Sequence, residues 1–263
     1  MDFSKIKMVV SDMDGTLLNS NHEVSSRFFE LFEALKKKNI AFVAASGRQY
    51  HSMVDKLDSI KDDIIVIAEN GALVKHREEV LLTTPITKAE VNKVLSTVQN
   101  IENVHPVLCC GNTAFVSGQS EAFITLLQEY YSEFQIVQDQ TLVDEQVLKI
   151  AIYHFESSER FIYPSVKHLE GDMKVKVSGA NWVDVSDINA HKGHALKKVM
   201  ERYQVQPDEI MVFGDYNNDL EMLELSDYSF AMANAHPNVL QVAKYKTASN
   251  NDFGVEKVLE QLI

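Results

Sequence analysis

Asp12 and Asp14 stand one residue apart just past the end of an apolar run, Ile6 to Val10, and Gly15 and Thr16 follow them. Such a run reads as a strand buried on both faces, and strands of that kind end where α/β proteins bind ligands. Residues two apart in a strand face the same way. Gly15 lets the chain turn sharply and brings free amides toward the same space. Two carboxylates so close repel each other unless a cation or a shared proton relieves them, so the pair calls for a hard divalent ion such as Mg²⁺. The same residue types also suit a plain Asx-type turn.

Three further groups have similar character. Ser46-Gly47-Arg48 follows a second apolar run at 40–44 and offers a hydroxyl and free amides to a phosphate, or a simple helix cap. Lys192-Gly193, flanked by His191 and His194, opens a helical pattern running to about residue 203. A lysine there opposes the helix dipole, which an anion in front of the helix would explain. The two histidines read as surface residues. Gly214-Asp215-Tyr216-Asn217-Asn218-Asp219 follows a strand-like run at 209–213, so Asp215 sits at a strand terminus as Asp12 does. Asn218 and Asp219 fall in the next helical turn.

Asp12-Met13-Asp14-Gly15-Thr16 resembles the first motif of the haloacid dehalogenase-like phosphatases. Ser46-Gly47-Arg48 is similar to their second motif and Lys192-Gly193 to their third, although His191 departs from the usual small residue, Ser or Asn. Gly-Asp-x-x-Asn-Asp and Glu69-Asn70-Gly71-Ala72 resemble the Cof-type subgroup. The resemblance implies an α/β protein: a Rossmann-like, doubly wound parallel-sheet core with an inserted α+β cap of the large C2B type, an antiparallel sheet covered by helices. It implies Asp12 as nucleophile and Asp14 as general acid and base. Mg²⁺ would be held by Asp12, Asp215 and the backbone carbonyl of Asp14, with Asp219 orienting a metal-bound water or Lys192. Phosphate oxygens would meet the Met13 amide, Ser46, Gly47, Lys192 and Asn218, while Arg48 contacts substrate or orders its loop. The expected activity is hydrolysis of small phosphorylated metabolites, sugar phosphates foremost, through an aspartyl-phosphate. A phosphomutase of the same fold is the alternative within the class. A non-catalytic phosphoacceptor module is the alternative outside it, and it has no use for Asp14.

These residues need elements to position them. Helical spacing is expected at 24–38, closed by Lys36, Lys37 and Lys38, and a third buried strand at 64–68. A small hairpin follows over 73–82. From about residue 84 to 187 the pattern changes, with helices expected at 88–98, 120–130 and 157–168 and strands at 113–116, 147–155, 174–178 and 182–185. The expected division is a discontinuous core of residues 1–83 and 188–263 and a cap of residues 84–187, which would choose the substrate, with hinges near 83–85 and 186–189.

Composition narrows the partners. With 45% hydrophobic and 24% charged residues over 263 positions, the chain is an ordinary water-soluble globular type. Its net charge of -13 argues against nucleic acid, and it requires local cations at any site for an anionic substrate. Cys109 and Cys110 are the two cysteines and adjoin, so no disulfide framework is expected, and His105 near them does not complete a zinc pattern. The absence of a long apolar run leads to no membrane span and a cytoplasmic location. Nothing in the sequence bears on oligomeric state.

Overall fold

The computed structural model describes residues 2–263 apart from 112, 119, 129, 130 and 132. In chain order the strands are β1 (Met8–Asp12), β2 (Ala41–Ala45), β3 (Ile65–Ala68), β4 (Leu73–His76), β5 (Glu79–Thr83), β6 (Val104–Cys110), β7 (Ala114–Ser117), β8 (Phe134–Val137), β9 (Val147–His154), β10 (Met173–Val177), β11 (Trp182–Asp187), β12 (Ile210–Gly214), β13 (Tyr228–Ala231) and β14 (Tyr245–Lys246). They fall into two compact units, Met1–Leu82 with His191–Ile263, and Thr83–Ala190.

The first unit is built on one sheet of order β14-β13-β12-β1-β2-β3-β4-β5. β1 lies between β12 and β2, parallel to both, and β3 continues the parallel array. The expected parallel sheet is therefore found, but β4 runs antiparallel to β3 because the Glu69–Gly71 turn returns the chain directly. β1 also extends two residues past the expected strand, since Ser11 and Asp12 keep register with Ala44 and Ala45 of β2. Alternate residues feed opposite faces. Met8, Val10, Val43 and Val212 pack against Leu196 and Val199 of the helix Lys192–Tyr203. Phe42 instead meets Phe28 edge to face, at 5.0 Å between centroids, on the helix Ser26–Lys37. That helix begins where Ser25 accepts the Phe28 amide at 3.0 Å, slightly later than its periodicity suggested. Helices on both faces of a largely parallel sheet make the doubly wound architecture expected of the core.

The second unit holds a sheet of order β10-β11-β9-β6-β7-β8. Its pairs are antiparallel except β7 with β8, which are parallel and joined by the helix Glu121–Leu127. A parallel pair needs such a crossover. The last residues of the helix expected at 120–130 lie outside the described residues. One sheet face, including Leu108, Ile150 and Val183, packs against Val91 and Val94 of the helix Lys88–Val98 and against Ile162 and Val166. The expected helix at 157–168 is broken into Ser158–Phe161, Tyr163–Val166 and a final turn. Pro164 has no amide to continue the earlier turn. Cys109 and Cys110 are buried in β6. Among the described residues, no helix is long and apolar enough to cross a membrane.

Candidate active site

β1, β2, β3 and β12 are neighbours and run in the same direction, so the segments at their carboxyl ends come together. Those segments carry Asp12 to Gly15, Ser46 to Arg48, Glu69 to Gly71, and Asp215 to Asp219. The helix Lys192–Tyr203 supplies its first residue.

Asp12, Asp215 and Asp219 each present an oxygen within 4.8 Å of the others. Lys192, completely buried, donates to Asp12 Oδ1 at 2.5 Å and to Asp219 Oδ1 at 2.7 Å. Its ammonium thus meets two carboxylates at its own helix start, where the sequence had suggested a phosphate. The second oxygen of Asp219 accepts the amides of Asp215 and Tyr216, both at 3.0 Å. Asp215 Oδ1 accepts from the Thr16 hydroxyl at 3.1 Å. Asp12 Oδ2 is buried with no hydrogen-bond partner among the described residues. Gly15 has φ +82° and closes this corner, because a Cβ there would stand 2.3 Å from Asp215 Oδ2.

The charges are unbalanced. Burial, and then the charge of Asp219, push the Asp12 carboxyl well above the ordinary range despite Lys192. Burial and Asp219 push Asp215 up to about 6. Burial works against the charge on Lys192, but Asp12 and Asp219 outweigh it and keep the ammonium protonated. Three carboxylates, one cation and an orphaned buried oxygen fit a hard divalent ion with oxygen ligands. Asp12 and Asp215 are the side chains available to hold it, since both oxygens of Asp219 are engaged.

Asp14 stands apart from that cluster. Arg48 donates to it through Nε at 2.7 Å and Nη2 at 2.6 Å, and His22 Nδ1 lies 3.3 Å from Oδ1. Burial raises the Asp14 carboxyl, but the Arg48 hydrogen bonds and charge, with His22 behind them, leave it below its ordinary value. The Arg48 side chain thus clamps the second aspartate.

Ser46 does not cap the next helix. That helix begins at Tyr50 with Gln49 before it, while the Ser46 hydroxyl accepts the Arg48 amide at 3.1 Å and so shapes the loop. Gly47 packs closely on the Asn70 side chain, whose amide nitrogen would lie 2.9 Å from a Cβ there. Asn218 Nδ2 donates to Asn70 Oδ1 at 3.0 Å. Met13 is buried between the two aspartates. His191 and His194 are partly buried, and His191 Nδ1 accepts the His194 amide at 3.2 Å and caps their helix. Thr16, His22 and Asn70 were given no role from sequence. Only the Glu-Asn-Gly turn signal marked the last of them.

The chain resembles known proteins over nearly its whole length. The family model of haloacid dehalogenase-like hydrolases matches residues 9–259. A 5-amino-6-(5-phospho-D-ribitylamino)uracil phosphatase of Escherichia coli K12, YbjI, is 28% identical over 98% of this chain and 96% of its own. A Bacillus subtilis phosphatase of the same name, YitU, is 25% identical, with 98% of each chain covered. The crystal structure of TM0651 from Thermotoga maritima superposes with a TM-score of 0.87 at 27% identity, covering 98% of both chains. With three motifs at strand ends, the third at a helix start, and a family match across both units, the chain belongs to the haloacid dehalogenase-like hydrolases, among the Cof-type phosphatases.

Proposed function

We propose that this enzyme is a Mg²⁺-dependent phosphatase of small phosphorylated metabolites, sugar and polyol phosphates foremost, working through an aspartyl-phosphate on Asp12. The observation that carries the reading is the state of Asp12: one oxygen is fixed by Lys192, and the other is buried beside the acidic cluster without a hydrogen-bond partner among the described residues. A carboxylate oxygen of Asp12 attacks phosphorus, the P–O ester bond breaks, and its electron pair goes to the leaving oxygen, which takes a proton from Asp14. Water then attacks the acyl phosphate, gives its proton to Asp14, and releases phosphate with Asp12 restored. Splitting the displacement in this way replaces one hard step by two easier ones.

Asp14 is poised for the second half, since Arg48 keeps it ionised. In the first half a phosphoryl oxygen competing for the guanidinium would weaken that pair and let Asp14 carry its proton. Ser46, the Gly47 amide, the Met13 amide and Asn218 receive the phosphoryl oxygens. Bound Mg²⁺, held by Asp12 and Asp215, would offset the negative charge gathered on the phosphoryl group. Lys192 fixes Asp12 and stops the cluster from flying apart before substrate arrives.

The leaving group would be chosen by the unit Thr83–Ala190, in which no catalytic motif occurs. The names of the Escherichia coli and Bacillus subtilis relatives favour a phosphate carried on a polyol chain. The test is phosphate release from a panel of phosphorylated metabolites, with and without excess chelator. Mg²⁺-dependent release supports the reading. Phosphoryl transfer to a second sugar, without release, would make the enzyme a phosphomutase, and activity untouched by chelator would remove the metal.

A further inference from the structure

The turn Glu69–Gly71 lies at the carboxyl end of β3, and no part of the mechanism above uses it. Its backbone is unusual: Glu69, Asn70 and Gly71 have φ of 50°, 53° and 102°, three left-handed residues in succession. A non-glycine residue takes that conformation only where its surroundings over-determine it, and Asn tolerates it better than most. The surroundings here are the phosphate-binding segments themselves. The Glu69 amide donates to Arg48 O and the Asn70 amide to Ser46 O, both at 2.9 Å, which sews the turn to the Ser46–Arg48 loop. The Asn70 side-chain amide lies against Gly47, and its Oδ1 accepts from Asn218 Nδ2 at 3.0 Å. Gly71 abuts the start of the Lys192 helix so closely that a Cβ would fall 2.4 Å from His191 O.

One short turn therefore touches the second, third and fourth motifs at once. Asn218 has a terminal amide that can rotate, and an amide that must meet a phosphoryl oxygen is useful only when its orientation is fixed. Asn70 supplies the acceptor that fixes it. We propose that Asn70 is a positioning residue: it orients the Asn218 amide toward the phosphoryl group and sets its distance from the Ser46-Gly47 loop. The inference rests on the reading that Asn218 receives a phosphoryl oxygen. It assigns Asn70 no contact with substrate.

The test is a double-mutant cycle with Asn70→Gly, which keeps the left-handed backbone without strain, and Asn218→Ala. The readouts are the inhibition constant of inorganic phosphate and KM and kcat for nitrophenyl phosphate, with the melting temperature recorded alongside. Asn70→Gly is expected to raise the phosphate constant and KM about fivefold while changing kcat less than about twofold, the pattern of lost ground-state binding. In the Asn218→Ala background the same substitution should add less than about twofold, because the two residues act as one unit. Full additivity, or an unchanged phosphate constant in Asn70→Gly, would overturn the positioning role. If Asn218→Ala alone leaves phosphate binding intact, the failure lies in the phosphate reading of Asn218 and takes the inference with it. Should Asn70→Gly not fold, Asn70→Ala in the same cycle is read by the same criteria.

Discussion

Arg48 grips both oxygens of Asp14, with nitrogen to oxygen distances of 2.7 and 2.6 Å, two residues from the carboxylate that Lys192 holds. The two aspartates of one short motif are thus fixed by different cations in different surroundings. Asp12 is buried among like charges, whereas the Asp14 side chain is 40% exposed and paired. Opposite environments push their carboxyls in opposite directions, which is how one site obtains two carboxylates with separate tasks.

The Arg48 clamp has a pH signature. A carboxyl held below its ordinary value of 3.8 stabilises the fold above that value, and its contribution is lost as pH falls through its folded value. Arg48→Ala removes this contribution. The stabilities of wild type and Arg48→Ala should therefore differ near neutral pH, by no more than about 1 kcal/mol because the pair is partly exposed, and converge as pH falls below 3.8. A gap that stays constant across the titration contradicts the clamp.

Lys192 neutralises two buried carboxylates, so its loss should be costly. Lys192→Met keeps the length of the side chain but leaves Asp12 and Asp219 uncompensated, and should destabilise the protein by about 3–5 kcal/mol. Urea unfolding measures this directly. A loss below about 1 kcal/mol would mean that the ammonium is not a structural counter-charge.

Asp215 gives the reverse signature to Asp14. Its carboxyl is raised from 3.8 to about 6, so the folded chain binds that proton more tightly than the unfolded chain does. The resulting stability is complete below 3.8 and lost as pH rises through 6. At pH near 7 in chelator, Asp215→Asn should therefore melt higher than wild type, by roughly 3 °C. Mg²⁺ should raise the melting point of wild type and not that of Asp215→Asn. Equal Mg²⁺ responses would remove Asp215 from the proposed metal site.

Much of this was legible in the sequence where local pattern and tertiary role agree. Buried parallel strands are continuous apolar runs, so β1, β2, β3 and β12 could be placed within a residue or two, and the chemistry-bearing residues follow them directly. β6 carries no clear strand signature, because Pro106 and the paired cysteines hide its alternation. The pairing of Lys192 with Asp12 spans 180 residues and has no local sign. His22 is hidden for another reason. It sits at φ 58° in a turn where the Asn19 side chain accepts the Asn21 and Glu23 amides, and only that turn carries its ring to Asp14. Asn70 was visible as a turn residue, but the three segments it joins are adjacent only after the sheet has formed.

The central claim is the phosphoryl group on Asp12. The measurement is a rapid acid quench of enzyme with Mg²⁺ and a ³²P-labelled monoester, followed by borohydride reduction and peptide mapping. The account predicts label on the quenched wild-type protein, conversion of residue 12 alone to the reduced side chain, and neither signal in Asp12→Asn, whose turnover should also collapse. Turnover without any acid-stable label on Asp12, or an Asp12→Asn enzyme that hydrolyses the ester at the wild-type rate, would contradict it.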